Sequence, residues 1–233
     1  MIKSLELYEF FRRLVSLIAP NRCPFCRNVI SADKFYCARC FEYLPFVKSE
    51  PDPPENISRL VACCYYKHRA RNAVLWLKYG AKIYPADAFA LMLSEKLSGV
   101  SADLIVPVPS SRKSIKSRGF ATAELIGKTV SLRLGLPMIK ALGANPDKQE
   151  QKDLSRKKRF INAQTAFFLK SGFDLKGKRI ILLDDVSTTG ATLSAAAKIL
   201  LDAGAEEVIG AVFAKTPDYS KIKISQKKYK PRG

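Results

Sequence analysis

Histidine is nearly absent from this chain of 233 residues: it carries one, His68. Mechanisms that need two or three imidazoles, the HExxH zinc hydrolases among them, are therefore excluded. His68 stands in the basic stretch YYKHRARNAV and reads as a surface residue. Long hydrophobic runs are also missing. The longest near the N-terminus, Leu14 to Ala19, is far too short to span a bilayer and follows Arg12 and Arg13 in a layout unlike a signal peptide. No transmembrane or export segment is expected, and the chain reads as cytoplasmic. Acids are scarce: 21 Asp and Glu face 40 Lys and Arg, a formal charge of +19 that favours polyanionic ligands. No internal repeat is visible, and an apolar content of 47% argues against disorder.

Against this background the cysteines stand out. Cys23 with Cys26 and Cys37 with Cys40 form two C-x2-C pairs, ten residues apart, in CPFCRNVISADKFYCARC. Four thiolates are a soft ligand set that closes a tetrahedral zinc site, and a segment of about twenty residues builds too little core to fold without such a staple. Four protein ligands leave no open position, so the site reads as structural Zn2+. Two redox or disulfide pairs are the weaker alternative in a cytoplasmic chain. Cys63 and Cys64 are adjacent in an expected strand and face opposite ways, which suits buried apolar residues better than ligands.

Apolar spacing over residues 1–20 predicts an amphipathic packing helix, with Leu5, Phe10, Leu14, Leu17 and Ile18 as its core positions. The zinc-ribbon-like module covers 21–45. A linker with three prolines follows over 46–58. From 59 to 217 apolar strands alternate with amphipathic helices, the pattern of an α/β domain with a mostly parallel sheet flanked by helices. Residues 218–233 form a basic tail.

Within that domain RIILLDDVSTTGAT is the most pointed stretch. A buried strand ending at Leu183 would deliver Asp184 and Asp185 to the carboxyl edge of the sheet, where open α/β folds bind ligands. Adjacent carboxylates repel and resist desolvation, so the pair calls for a positive or donor-rich partner. The hydroxyls and glycine that follow open a helix whose free N–H groups favour phosphate. A ligand that satisfies both combines a phosphate with hydroxyls or with Mg2+.

This stretch resembles the phosphoribosyl-pyrophosphate motif of type I phosphoribosyltransferases. The resemblance implies that Asp184 and Asp185 contact the ribose hydroxyls and that Ser187, Thr188, Thr189, Gly190 and Thr192 hold the 5-phosphate. Together with IVPVPSSRKSIKSRGF, KQEQKDLSRKKRFIN and the double C-x2-C, the chain is similar to the ComF/GntX family, in which a zinc module precedes a phosphoribosyltransferase-like domain. One departure is that Ala121 and Thr122 stand where that family usually has Asn-Gln after RGF.

The resemblance implies phosphoribosyl pyrophosphate, or a related sugar phosphate, bound with Mg2+, and an association with DNA uptake during natural transformation. Arg112, Lys113, Arg118 and Gly119 would face the pyrophosphate. The basic cluster Lys148, Lys152, Arg156, Lys157, Lys158 and Arg159 resembles a mobile loop over the site. The alternative is a scaffold or single-stranded-DNA-handling protein that keeps the fold, with Phe120, Phe160 and Tyr229 as stacking groups.

Overall fold

The computed structural model describes residues 2–80, 83–145 and 166–218. The second basic cluster, Phe160 and the tail with Tyr229 lie outside the described residues. Among those described, four strands form one parallel sheet in the order β1 (Arg59–Tyr65), β6 (Glu207–Lys215), β5 (Arg179–Ser187), β2 (Leu104–Pro107). β3 (Leu142–Ala144) and β4 (Phe167–Leu169) form a separate antiparallel pair. The helices are α1 (Ile2–Ser16), α2 (Ala38–Glu42), α3 (His68–Tyr79), α4 (Pro85–Leu97), α5 (Arg112–Arg118), α6 (Thr122–Leu134) and α7 (Ala191–Asp202).

Both faces of the sheet are covered, which is why its strands read as near-continuous apolar runs rather than alternating ones. Successive residues of β5 and β6 serve opposite cores. Ile181, Leu183, Ala211 and Phe213 pack with α4, α6 and the cysteine segment, while Ile180, Leu182, Val208 and Val212 pack with α7. Phe213 stacks on Phe89 at 3.6 Å between ring centroids and on Phe25 at 6.4 Å. An aromatic ring of the cysteine module is thus part of the main core.

Three features are new or differ from the expectations above. The basic stretch after β2 is a short helix, α5, because Ser111 Oγ accepts from Ser114 N at 3.2 Å at its start and Gly119, at φ 85°, closes it. The segment 46–58 packs on the sheet: Val47 and Ile57 are buried, and Val47 N donates to Cys63 O at 3.0 Å. The third difference concerns α1. Phe10, Leu14, Leu17 and Ile18 are exposed, and the helix is docked through Tyr8, Glu9 and Arg12 instead. No helix of the described residues is long and apolar enough to cross a membrane.

Candidate functional site

The strand carrying the acid pair does not end at Leu183. On one side β6 continues the ladder as far as Ser187 opposite Lys215, so β5 runs straight through Asp184 and Asp185. On the other side pairing with β2 stops at Pro107 opposite Leu183. The carboxylates therefore project just past the last β2 pair, where one flank of β5 has lost its neighbour and a cleft of about 310 Å³ opens.

Of the residues expected here, the cleft brings together Asp184, Asp185, Arg118 and Thr192. Ser187, Thr188, Thr189 and Gly190 lie between Asp185 and Thr192 in the chain but do not line it, nor do Arg112, Lys113 and Gly119, which are exposed on and after α5. Ser110, Ser111, Ser114 and Lys78 line it without having been anticipated.

Lys78 answers the question raised by two adjacent acids. Its Nζ lies 2.8 Å from Asp185 Oδ1, with the carboxylate side chain 3% exposed and the lysine 26%. Burial pulls the ammonium pKa down, but the charges of Asp185 and then Asp184 outweigh it and leave Lys78 above the usual lysine value. Asp184 is pushed up to about 7, first by burial and second by the charge of Asp185. Its Oδ1 accepts from Asp185 N at 2.8 Å. The only sequence signal for Lys78 was a lysine inside the otherwise apolar run VLWLKYG.

Three buried polar atoms in this region have no hydrogen-bond partner among the described residues: Asp185 Oδ2, Ser187 Oγ and Arg118 Nε. A buried polar atom left unpaired costs about 1–3 kcal/mol, so the two that belong to residues lining the cleft, Asp185 Oδ2 and Arg118 Nε, mark it as built for a polar ligand rather than for stability. The turn after β5 is shaped for close approach. Gly190 sits at φ 83° at the start of α7, and a Cβ there would lie 2.5 Å from Pro54 Cβ. Thr189 Oγ1 accepts from Ala191 N at 3.4 Å, and Thr188 O takes a hydrogen bond from Lys215 Nζ at 2.7 Å.

The second constellation is the cysteine cluster. The Sγ atoms of Cys23, Cys26, Cys37 and Cys40 all lie within 4.8 Å of one another, and Cys26 Sγ is 3.8 Å from Cys37 Sγ. Four thiolates around one ion at about 2.3 Å would stand roughly 3.8 Å apart, so the set is compact enough to hold a metal ion. The first knuckle turns at Arg27, φ 70°, whose N donates to Cys23 O at 2.8 Å. Arg69 Nη1 donates to Cys40 Sγ at 2.8 Å, a cation placed to offset thiolate charge. Cys63 and Cys64 are fully buried, and burial pushes the Cys64 thiol up to about 12, so it stays protonated.

The chain is 34% identical over 133 residues to competence protein ComFC of Streptococcus pneumoniae strain R6, covering 56% of this chain and 56% of that protein, little more than half its length. It is 27% identical over 199 residues to DNA utilization protein YhgH of Escherichia coli K12, covering 80% of this chain and 86% of the relative. Among solved structures, a purine phosphoribosyltransferase from Pyrococcus horikoshii Ot3 superposes with a TM-score of 0.38 at 23% identity, covering 57% of this chain and 74% of that one. Residues 114–230, which carry most of α5, the acid pair and the turn into α7, match the phosphoribosyl transferase domain. On that match the chain belongs to the phosphoribosyl transferase domain family, with the competence protein ComFC and the DNA utilization protein YhgH among its relatives.

Proposed function

We propose that the cleft binds phosphoribosyl pyrophosphate with Mg2+ and that the protein transfers the phosphoribosyl group to an acceptor, as a ComF-type protein serving DNA uptake. The observation that carries this reading is the set of unpaired buried atoms beside the acid pair. Asp184 and Asp185 accept hydrogen bonds from the ribose hydroxyls. Thr192, which lines the cleft, holds the 5-phosphate at the start of α7 together with the free backbone N–H groups there. Arg118, the basic residue of α5 that lines the cleft, receives the pyrophosphate.

Mg2+, carried on the diphosphate, supplies charge neutralisation that makes pyrophosphate a better leaving group. In the transfer, the bond from the anomeric carbon to the pyrophosphate oxygen breaks and its electron pair leaves with pyrophosphate. The acceptor forms the new bond to that carbon and gives up its proton. The chain contributes positioning and charge stabilisation rather than covalent chemistry. Calorimetric titration with phosphoribosyl pyrophosphate and Mg2+ tests the reading, with ribose 5-phosphate as the control that lacks the diphosphate. Saturable binding followed by pyrophosphate release in an acceptor screen supports it, and no heat with either ligand overturns it.

The cysteine cluster takes Zn2+ in the same proposal, since soft thiolates favour it over hard cations and four ligands close the shell. One zinc per chain is expected in protein purified without chelator. Cys37→Ser should abolish metal content and lower the melting temperature of the whole chain rather than of the module alone, because Phe25 stacks on Phe213. Metal content unchanged in that variant would refute the assignment.

A second reading, handling of single-stranded DNA, is favoured by the likeness to YhgH along 80% of the chain and by the charge of +19. Such binding would weaken with salt at about 0.7 log units per neutralised phosphate for each log unit of salt.

A further inference from the structure

An amphipathic helix on a globular protein ordinarily turns its apolar face inward. In α1 the arrangement is reversed. Tyr8 Oη donates to Asp87 Oδ1, Arg133 Nη2 lies 2.8 Å from Glu9 Oε1, and Arg12 Nη1 donates to Lys34 O at 3.3 Å with its guanidinium 4.0 Å from the Phe35 ring centroid. These polar contacts hold the helix down. Leu7, Phe10, Phe11, Leu14 and Val15 face outward, Phe10 60% exposed, and the stripe continues past the helix through Leu17 to Ile18 at 92%. At about 100° per residue these seven positions fill one unbroken sector of roughly 160°. An apolar surface of this extent marks an interaction site, since isolated exposed apolar residues are common but contiguous ones are not.

The stripe runs into a cavity of about 920 Å³ that Phe11 and Val15 border on one side and Trp76 and Tyr84 on the other. Two exposed arginines, Arg22 and Arg27, also line it. The Arg27 guanidinium stacks 3.2 Å from the Trp76 ring centroid, and Arg22 Nη1 donates to Arg27 O at 3.0 Å. Each guanidinium has five donors, so both keep donors for an anion.

We infer that α1 seats the protein on an anionic lipid surface, its stripe in the acyl boundary and Arg22 and Arg27 against lipid phosphates. A helix of 15 residues with Phe and Leu on one face and charge on the other lies in the interfacial plane rather than crossing it. The charge decides between a membrane and a second copy of the chain. Two copies at +19 repel, whereas the same charge draws the protein to anionic headgroups. The inference stands whether or not the cleft binds a sugar phosphate.

The test is flotation of the full chain with vesicles of phosphatidylcholine alone and of phosphatidylcholine mixed equally with phosphatidylglycerol. The protein should float with the mixed vesicles and not with the neutral ones. Phe10→Ser with Leu14→Ser should cut the bound fraction at least roughly tenfold, since each removes a large apolar group from the acyl boundary. Because both side chains are exposed, helical circular dichroism should be unchanged. Wild-type protein that stays unbound on mixed vesicles overturns the proposal, as does binding indifferent to the double substitution. So does a lipid-free dimer in sedimentation that the double variant dissociates, which would make the stripe a self-association surface.

Discussion

Asp184→Asn and Asp185→Asn are each expected to weaken binding of phosphoribosyl pyrophosphate with Mg2+ by roughly ten- to a hundredfold, the worth of one charge-assisted hydrogen bond, and to move stability in opposite directions. Asn keeps the shape and one acceptor but removes the charge. Asp184 has a folded-state pKa of about 7 against an ordinary value of 3.8, so burial and the charge of Asp185 make its ionised form unfavourable in the native protein. A raised carboxyl stabilises the fold fully below about pH 4 and loses that contribution as pH climbs through about 7. Asp184→Asn should therefore melt higher than wild type at pH 8 and no higher at pH 4. Asp185→Asn removes one charge that raises Asp184, but it also strips Lys78 of its nearest countercharge at 2.8 Å, the larger loss, and it should melt lower across the range. Single-stranded DNA binding at fixed salt should be unchanged or tighter in both. Undiminished sugar-phosphate binding in both variants would mean that the cleft has been misread, and a lower melting temperature for Asp184→Asn at pH 8 would mean that the acid is held by contacts its charge does not explain.

Lys78→Met should be among the most destabilising single changes that leave the core packing intact. Methionine reproduces the stem and leaves Asp185, 3% exposed, with neither a cation at Oδ1 nor a partner at Oδ2. Breaking a buried pair from one side costs about 3–5 kcal/mol, and the solvent contact that Lys78 retains places the loss near about 3 kcal/mol. The urea midpoint should fall accordingly. Combined with Asp185→Asn, the loss should be smaller than the two single losses added together, since the second change removes the stranded charge. Strict additivity in that cycle would show that the two side chains do not act as a pair.

The chemistry-bearing residues were legible in sequence where identity and spacing alone decide the outcome. The two C-x2-C pairs come together as read, and the acid pair falls on a strand flank that borders a cleft. What was hidden depended on partners distant in sequence. The length of β5 follows from how far β6 continues beside it, which no local pattern in RIILLDDVS announces. Lys78 comes from α3, more than a hundred residues from the acid it meets, and apolar spacing registers it only as an interruption. The strands β3 and β4 are three residues each, too short for periodicity to reveal. For α1 the period was right and the direction wrong, because a hydrophobic stripe states that a face will be covered and not by what.

The contact between Pro54 and Gly190 bears on where the chain could be cut. Residues ahead of β1 look dispensable in composition, yet Pro54 closes over the glycine that begins α7, Asn56 Nδ2 donates to Ser194 Oγ at 3.3 Å one turn later, and Ile57 is buried beside Leu193. A fragment started at Arg59 would keep every residue of the acid-and-hydroxyl turn while removing the brace that holds the turn's backbone in place. Such a truncation should yield a protein with its proposed chemistry written out in full and the amides assigned to the phosphate free to wander. Proteolysis between Lys48 and Asn56 should do the same to the native chain, turning a surface nick far from the acids into a loss of grip on the ligand.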